Sequence, residues 1–112
     1  MNLEIKVNGT MYSGVFMKLG GTEMKVLLEI LKHIEPNTNL LQIGGDTLLA
    51  ITVSSGYSEK VIRNSLSKLN KSGLCERTSL RGEYIVNPVF AIAGCEDSVW
   101  GMYQKIEADL KV

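Results

Sequence analysis

The sequence predicts an α+β fold. Apolar residues recur at helical spacing in four segments, and the short segments between them are typical of strands. The predicted order in the middle of the chain is helix, helix, short turn, helix and then two strands joined by a tight turn. Two helices joined by a short turn form a helix-turn-helix, and a hairpin directly after them makes it winged. We therefore predict a winged helix-turn-helix with an N-terminal β-hairpin and a C-terminal helix.

The size and composition indicate one ordinary globular domain. The 112 residues are enough for a single hydrophobic core, and 45% hydrophobic and 21% charged residues are typical of a soluble protein. No stretch approaches the roughly 18–20 apolar residues that span a membrane. The first residues, MNLEIKVNGT, lack the basic region and apolar run of a secretory signal. We expect a cytoplasmic protein with an N-terminal hairpin in residues 1–19, the winged helix-turn-helix in residues 20–94 and a C-terminal helix in residues 95–112.

The N-terminal segment has the pattern of a hairpin. Leu3, Ile5 and Val7 alternate with charged residues, as in a half-buried strand, and Asn8-Gly9 is a strong signal for a tight turn. We expect a second extended segment over Met11–Lys18 to pair with the first.

Two helices and a short strand are predicted next. Thr22 caps the first helix, which ends before Pro36 because the residue preceding a proline is disfavoured in helical geometry. A short strand over Leu40–Ile43 follows, and the second helix begins at Gly45 or Asp46. The apolar positions are Met24, Leu27, Leu28, Leu31 and Ile34 in the first helix and Leu48, Leu49 and Ile51 in the second, with Val53 as a further candidate.

The third predicted helix is strongly amphipathic. Ser58 caps it, it runs to about Lys71, and Gly73 ends it. Its inward stripe is Ile62, Leu66 and Leu69.

A hairpin and a last helix complete the prediction. Strands over Leu74–Thr78 and Glu83–Asn87 are joined by residues 79–82, and Pro88 ends the second strand. After Gly94, the acidic pair Glu96-Asp97 favours a helix N-terminus.

Charge is distributed unevenly along the chain. Residues 1–55 carry four basic and five acidic groups, residues 56–82 six basic and two acidic, and residues 83–112 two basic and five acidic. The formal net charge of zero is therefore a cancellation between a +4 middle segment and acidic flanks. This asymmetry points to an anionic partner for the middle segment.

The basic segment suggests a surface for double-stranded DNA. Charge on a helix exterior often serves only solubility, and an exposed turn is polar in any case. Arg63 and Asn64, however, are side chains that can read guanine and adenine edges, whereas basic and hydroxyl groups on a turn contact phosphates. Val61 either touches a thymine methyl or packs on the second helix. The candidate DNA-binding residues are Ser58, Lys60, Val61, Arg63, Asn64, Ser67, Lys68, Arg77, Ser79 and Arg81.

Three runs of the sequence resemble a known family. GGTEMKVLLEIL, GDTLLAITVSSGYSEKVIRNSLSKLNKSGL and GEYIVNPVFAIAG are similar to the RepL-type plasmid replication proteins of Gram-positive bacteria and their phage and plasmid relatives. The similarity covers roughly Gly20 to Gly94. Its most specific part is the tail with Tyr84, Asn87-Pro88 and Gly94. The resemblance implies DNA binding in the initiation or control of plasmid or phage replication.

The C-terminal helix has an apolar stripe with two interpretations. The stripe either closes the core over the first helix or forms a homodimer interface, as in winged helices that bind two half-sites. Apolar neighbours widen the stripe, so we predict a homodimer. The candidate dimerisation residues are Val99, Trp100, Tyr103, Ile106 and Leu110.

Three other functions are the alternatives. A transcriptional repressor with the same fold is the nearest alternative, and a winged helix that binds only proteins is another. No nucleophile elbow, phosphate-binding loop or paired carboxylates indicate an enzyme. Cys75 and Cys95 are predicted to be reduced, partly buried thiols, with a disulfide or redox role as the alternative, and with His33 they cannot form a metal site. We expect no catalytic residues, metal, cofactor, small-molecule substrate or membrane partner.

Overall fold

The computed structural model describes residues 5–7 and 20–110 and has a mixed α+β fold. Within these residues the helices are α1 (Gly21–Leu31), α2 (Gly45–Ser55), α3 (Glu59–Ser72) and α4 (Glu96–Leu110). The strands are β1 (Ile5–Val7), β2 (Leu40–Gln42), β3 (Cys75–Arg77), β4 (Glu83–Val86) and β5 (Ala91–Ala93). The predicted order of helix, helix, turn, helix and hairpin is confirmed.

A three-stranded antiparallel sheet lies beside the helices, with β4 between β2 and β3. Tyr84 in β4 is opposite Leu41 in β2 and Arg77 in β3. The predicted hairpin is therefore present, and its outer partner is the predicted short strand before α2. All four residues of β4, the central strand, are buried.

The described part of the first strand pairs antiparallel with β5. Ile5 is opposite Ala93 and Val7 is opposite Ala91. The sequence did not predict β5, a strand of three residues whose partner is more than eighty positions away. The predicted second arm of the N-terminal hairpin, Met11–Lys18, lies outside the described residues.

The core lies between α1, α2, α3 and the three-stranded sheet. The predicted inward stripe of α3 is confirmed, since Ile62, Leu66 and Leu69 are all fully buried. Burying each of these side chains stabilises the fold by about 1.5–3 kcal/mol relative to exposure. Ser58 caps the helix as predicted, with Val61 donating its backbone N–H to the Ser58 hydroxyl over 3.3 Å.

Not all of the apolar positions of α1 and α2 face the core. Leu28, Leu49 and Val53 are 55%, 62% and 77% exposed. Val26 and Ile30, which lie outside the predicted apolar set, are fully buried. α1 carries apolar residues at nearly consecutive positions, so spacing alone does not decide which face turns inward. The same ambiguity affects α2, whose buried residues are Leu48, Ile51 and Ser55.

The first helix is also shorter than predicted. Its N-cap is Gly20 instead of Thr22, and it ends at Leu31. The backbone N–H of Lys32 then donates to the Glu29 carbonyl and that of His33 to the Ile30 carbonyl. Ile34, 2% exposed, remains in the core although it lies beyond the helix. The chain then turns through Asn37 and Asn39, which both have positive φ, to enter β2.

The loop between α1 and β2 holds the end of the sheet together. The fully buried Asn39 side chain donates to the carbonyls of Val86 (3.0 Å) and Ala91 (2.7 Å) and accepts from the backbone N–H of Ala93 (2.9 Å). These three bonds join β4 to β5. They satisfy backbone groups that would otherwise be buried without partners.

The sequence tail that carries the family resemblance has a local structural role. Asn87 donates its side-chain N–H to the Gly73 carbonyl over 3.1 Å and accepts from the Val89 backbone N–H over 3.0 Å. Gly94 has φ +83° and lies against Asn37, so close that an added Cβ would be 2.8 Å from the Asn37 backbone nitrogen. Asn87 thus holds the turn between β4 and β5 against the end of α3, whereas Gly94, after β5, packs on the loop that follows α1.

Candidate nucleic-acid interface

The outward face of α3 is the first part of the candidate site. Lys60, Arg63 and Asn64 are exposed, as the amphipathic pattern predicts, and the cap residue Ser58 is exposed at the helix start. Val61 and Ser67 are half-buried at the edges of this face. The face therefore offers two cations and an amide near the N-terminal half of the helix, where the backbone N–H groups also favour anions.

The hairpin supplies the second part. Arg63 of α3, Ile43 and the hairpin residues 77–84 line one cleft of about 690 Å³, called here the basic cleft. The lining includes Arg63, Arg77 and Arg81 as cations and Glu83 as the acid, for a charge of +2. The structure thus brings together a predicted base-reading residue and three predicted hairpin residues, Arg77, Ser79 and Arg81.

The hairpin tip is a hydrogen-bonded turn anchored to the chain before α2. Ile43 donates its backbone N–H to the Gly82 carbonyl over 2.8 Å. Gly82 has φ +75°, and an added Cβ would be 3.0 Å from the Ile43 carbonyl, so this position requires glycine. The Thr78 hydroxyl donates to Glu83 (2.8 Å) and accepts from the Leu80 backbone N–H (3.1 Å). These hydrogen bonds therefore fix the backbone of the tip from which Arg81 extends.

Two of the three arginines in the cleft have partners. Arg63 donates from Nε to Glu59 Oε1 over 2.9 Å, an exposed pair one helical turn apart. The Arg77 guanidinium lies over the Tyr84 ring at 6.0 Å from its centroid. Arg81 is exposed at the tip. Arg63 is thus oriented by a neighbour on its own helix and Arg77 by a ring on the adjacent strand, and neither is buried.

Glu83 is the acidic residue of the cleft, and its carboxylate is already hydrogen-bonded within the protein. It is 8% exposed, and its carboxylate accepts from Thr78 on one oxygen and from Gln42 (2.7 Å) on the other. Both oxygens are therefore bonded to neutral donors of the sheet and its tip. This arrangement leaves the three arginines as the groups that an anion in the cleft would meet.

Lys68 lies apart from this cleft. Its ammonium is 2.7 Å from Glu23 Oε1 at the start of α1, and the Glu23 side chain is 9% exposed. The hydrogen bond from Lys68 lowers the pKa of the Glu23 carboxyl. The sequence grouped Lys68 with the DNA-binding residues, whereas the structure gives it a partner on α1.

Arg63 also borders two shallower depressions. One is formed with Glu59, Lys60 and Asn64, and the other with α2 residues from Gly45 to Thr52. Sequence reasoning did not select Glu59, Glu83 or Tyr84 as parts of the site. The spacing of four residues between Glu59 and Arg63 could have indicated in the sequence that Glu59 pairs with Arg63.

The candidate dimerisation residues divide into two groups. Val99 is fully buried and Ile106 is 9% exposed within their own chain, where α4 packs mainly against β5 and not over the first helix as the core-closing alternative predicted. Trp100 and Tyr103 are half-buried and meet edge to face with 6.0 Å between ring centroids. Leu110 is 46% exposed. An interface on this helix would therefore be formed by Trp100, Tyr103 and Leu110.

The cysteines differ in their surroundings. Both are free thiols, but Cys75 is fully buried and Cys95 is exposed, so the prediction of two partly buried thiols is wrong. Burial raises the pKa of Cys75 to about 12. Among residues 5–7 and 20–110, no group of three acidic, histidine or cysteine side chains is placed to hold a metal ion. None of the helices described here is long and apolar enough to cross a membrane.

No protein-family model, curated protein or solved structure matches this chain.

Proposed function

We propose that this chain is a sequence-specific DNA-binding protein with a winged helix-turn-helix, in which α3 is the recognition helix and the β3–β4 hairpin is the wing. The observation that carries the proposal is the basic cleft, where Arg63 of α3 lies on the same side of the molecule as Arg77 and Arg81 of the hairpin. A single duplex can then meet both elements at once.

The two elements have different roles in this proposal. α3 presents Arg63 and Asn64, whose side chains can make paired hydrogen bonds to guanine and adenine in the major groove. The hairpin presents Arg81 and Ser79 to phosphate oxygens, which sets orientation without reading sequence. Lys60 adds a further cation beside Arg63.

We propose a biological role in initiating or controlling replication of a plasmid or phage. The resemblance of the run from Gly82 to Gly94 to RepL-type proteins supports this role. A transcriptional repressor would use the same cleft, so the position of the bound sequence in its replicon distinguishes the two. A homodimer through the exposed part of α4 would allow binding to two half-sites.

A protein-binding domain is the alternative from another class. Exposed apolar side chains favour it: Leu80 at the hairpin tip is 63% exposed, and Leu49 and Val53 lie one turn apart on the outer face of α2. Such residues are common at protein interfaces. The positive charge of the basic cleft instead favours a nucleic acid as the partner.

A salt titration separates these classes. Binding of the full chain to a random duplex is measured by fluorescence anisotropy between about 50 and 200 mM salt. Each neutralised phosphate contributes about −0.9 to the slope of log K against log salt, so phosphate contacts from the two hairpin arginines, Arg77 and Arg81, predict a slope of about −1.8. Arg81→Gln should reduce the magnitude of the slope by about 0.9, and the exposed Lys105→Gln on α4 is the matched control. Absence of binding at the lowest salt would leave the protein-binding alternative.

Selection of bound sequences from a random pool then tests specificity. Arg63→Ala or Asn64→Ala should reduce discrimination between selected and altered sites by about 1–3 kcal/mol. Equal losses on every sequence would show that α3 contacts only the backbone of DNA.

A further inference from the structure

The contact between Glu59 and Arg63 bears on which base the interface reads. Glu59 is in the first turn of α3, and its carboxylate takes only the Nε hydrogen of Arg63. A guanidinium has five N–H donors in a fixed plane, so this contact leaves the donors of the two Nη groups available for another acceptor. Within the described part of the chain, these Nη groups have no hydrogen-bond partner.

The remaining donors suit a guanine. Two parallel N–H groups of an arginine match the O6 and N7 acceptors on the major-groove edge of guanine, the commonest specific contact of this kind. A carboxylate at Nε restricts rotation of the guanidinium, so less freedom is lost when the base is bound. The pair is 60% and 53% exposed, and an exposed pair of this type contributes little to folding.

The position of the pair is consistent with that use. Arg63 lines the basic cleft with the hairpin and also the depression that contains Lys60 and Asn64. A guanidinium at this junction can face a base edge while Arg81 meets a phosphate. Glu59 is beside the same depression, where its negative charge disfavours a close phosphate.

We propose that the interface reads a guanine through Arg63 and that Glu59 is the positioning residue that orients Arg63. Glu59 also weakens binding to DNA of non-specific sequence. This inference rests on the proposed function and adds the base that is read and the residue that controls selectivity. Glu59 thus acts in two ways, through its hydrogen bond and through its charge.

The two actions predict opposite effects of one substitution. Glu59→Ala should tighten binding to a random duplex severalfold, because a negative charge near phosphates is removed. It should also reduce the preference for the selected site by about tenfold, because Arg63 is no longer oriented. Glu59→Gln keeps a hydrogen-bond acceptor, so it should retain more of the preference while still tightening unspecific binding. A residue with a merely structural role would lower both affinities together.

The experiment uses the full chain, the sequence selected from a random pool and a random duplex of equal length. Each guanine of the selected site is replaced in turn by 7-deazaguanine, which lacks the N7 acceptor. At one guanine the wild type should lose about tenfold in affinity, and Arg63→Gln should be insensitive to the same replacement. Glu96→Ala is the matched control, since Glu96 is an exposed acid in the first turn of α4. It should leave both affinities unchanged.

Three results would overturn the inference. These are insensitivity to 7-deazaguanine at every position, an unchanged or weaker affinity of Glu59→Ala for random duplex, and an undiminished site preference in that variant. In each case salt-dependent binding of the wild type would still support the DNA-binding function. Loss of all DNA binding by the wild type would instead reject the proposed function itself.

Discussion

Tyr103 of α4 donates a hydrogen bond to Glu76 of β3, with 2.9 Å between the hydroxyl oxygen and Oε2. Glu107, one turn further along α4, interacts with the same carboxyl. Burial and this second carboxylate raise the pKa of Glu76 to about 6, although the Tyr103 hydrogen bond lowers it. The pKa of Tyr103 is raised as well, by burial and by the neighbouring carboxylates. The C-terminal helix therefore meets the sheet through a group that titrates in mildly acidic solution.

The first prediction concerns the pH dependence of this junction. The pKa of Glu76 is about 6 in the folded protein and 4.5 in the unfolded chain. The folded state therefore binds more protons than the unfolded state between these two pH values. The stabilisation is fully present below pH 4.5 and is lost as the pH rises through 6. Relative to Glu76→Gln, the wild type should lose about 1 kcal/mol of unfolding free energy from pH 4.5 to 7, a value reduced for solvent screening.

Urea denaturation of both proteins at several pH values measures this difference. The comparison with Glu76→Gln is needed because Glu23 and Glu29 have lowered pKa values and act in the opposite direction. Their hydrogen bonds, chiefly from Lys68 and Ser54 respectively, are lost as the pH falls. A difference between wild type and variant that does not change with pH would contradict the prediction.

The second prediction compares two glycines with nearly equal backbone angles. Gly94 has φ +83° and Gly73 has φ +82°, but only Gly94 has neighbours within 4 Å of an added Cβ. Gly73→Ala should therefore cost about 1–2 kcal/mol, the penalty of a left-handed alanine. Gly94→Ala should cost at least about 1 kcal/mol more, because its methyl group collides with Asn37. Chemical denaturation gives both values, and equal costs would show that the loop at Asn37 yields freely.

The third prediction concerns the buried Asn39. Asn39→Ala removes three hydrogen bonds and leaves the carbonyls of Val86 and Ala91 and the N–H of Ala93 without that partner. The expected loss of unfolding free energy is about 3–5 kcal/mol, from about 1–3 kcal/mol for each unsatisfied group with partial relaxation. The φ of +59° at Asn39 adds to this loss, because alanine disfavours left-handed geometry more than asparagine does. Thr38→Ala is the control, since the Thr38 hydroxyl makes contacts of 3.3 and 3.4 Å near the surface. A loss no greater than that of the control would mean that water replaces the amide.

The parts of the fold that could be predicted depend on strong local signals. α3 has one apolar stripe, a serine cap and a terminal glycine, so its limits and its buried face were predicted together. Strands β3 and β4 adjoin a short turn, and their pairing required no information from distant residues. These are the elements that form the basic cleft.

Features that depend on distant partners could not be predicted in this way. β5 pairs with a segment near the start of the chain, and Asn39 bonds residues 47 to 54 positions away. Leu49 and Val53 are apolar, yet tertiary packing turns Leu48 and Ile51 inward instead. In each case the deciding contact is absent from the local sequence pattern.

The last prediction separates two cations that the sequence placed in one group. Lys68 is paired with the buried Glu23, so Lys68→Gln should cost about 1 kcal/mol or more of unfolding free energy by leaving that carboxylate without its cation. Arg81 is exposed at the hairpin tip, so Arg81→Gln should leave the unfolding free energy nearly unchanged. For DNA the order should reverse, with Arg81→Gln weakening binding to all sequences and Lys68→Gln having the smaller effect. Denaturation and anisotropy on the same two variants measure both quantities. A larger loss of DNA affinity in Lys68→Gln would mean that Lys68 leaves Glu23 to contact the duplex, and the interface would then extend along α3 towards α1.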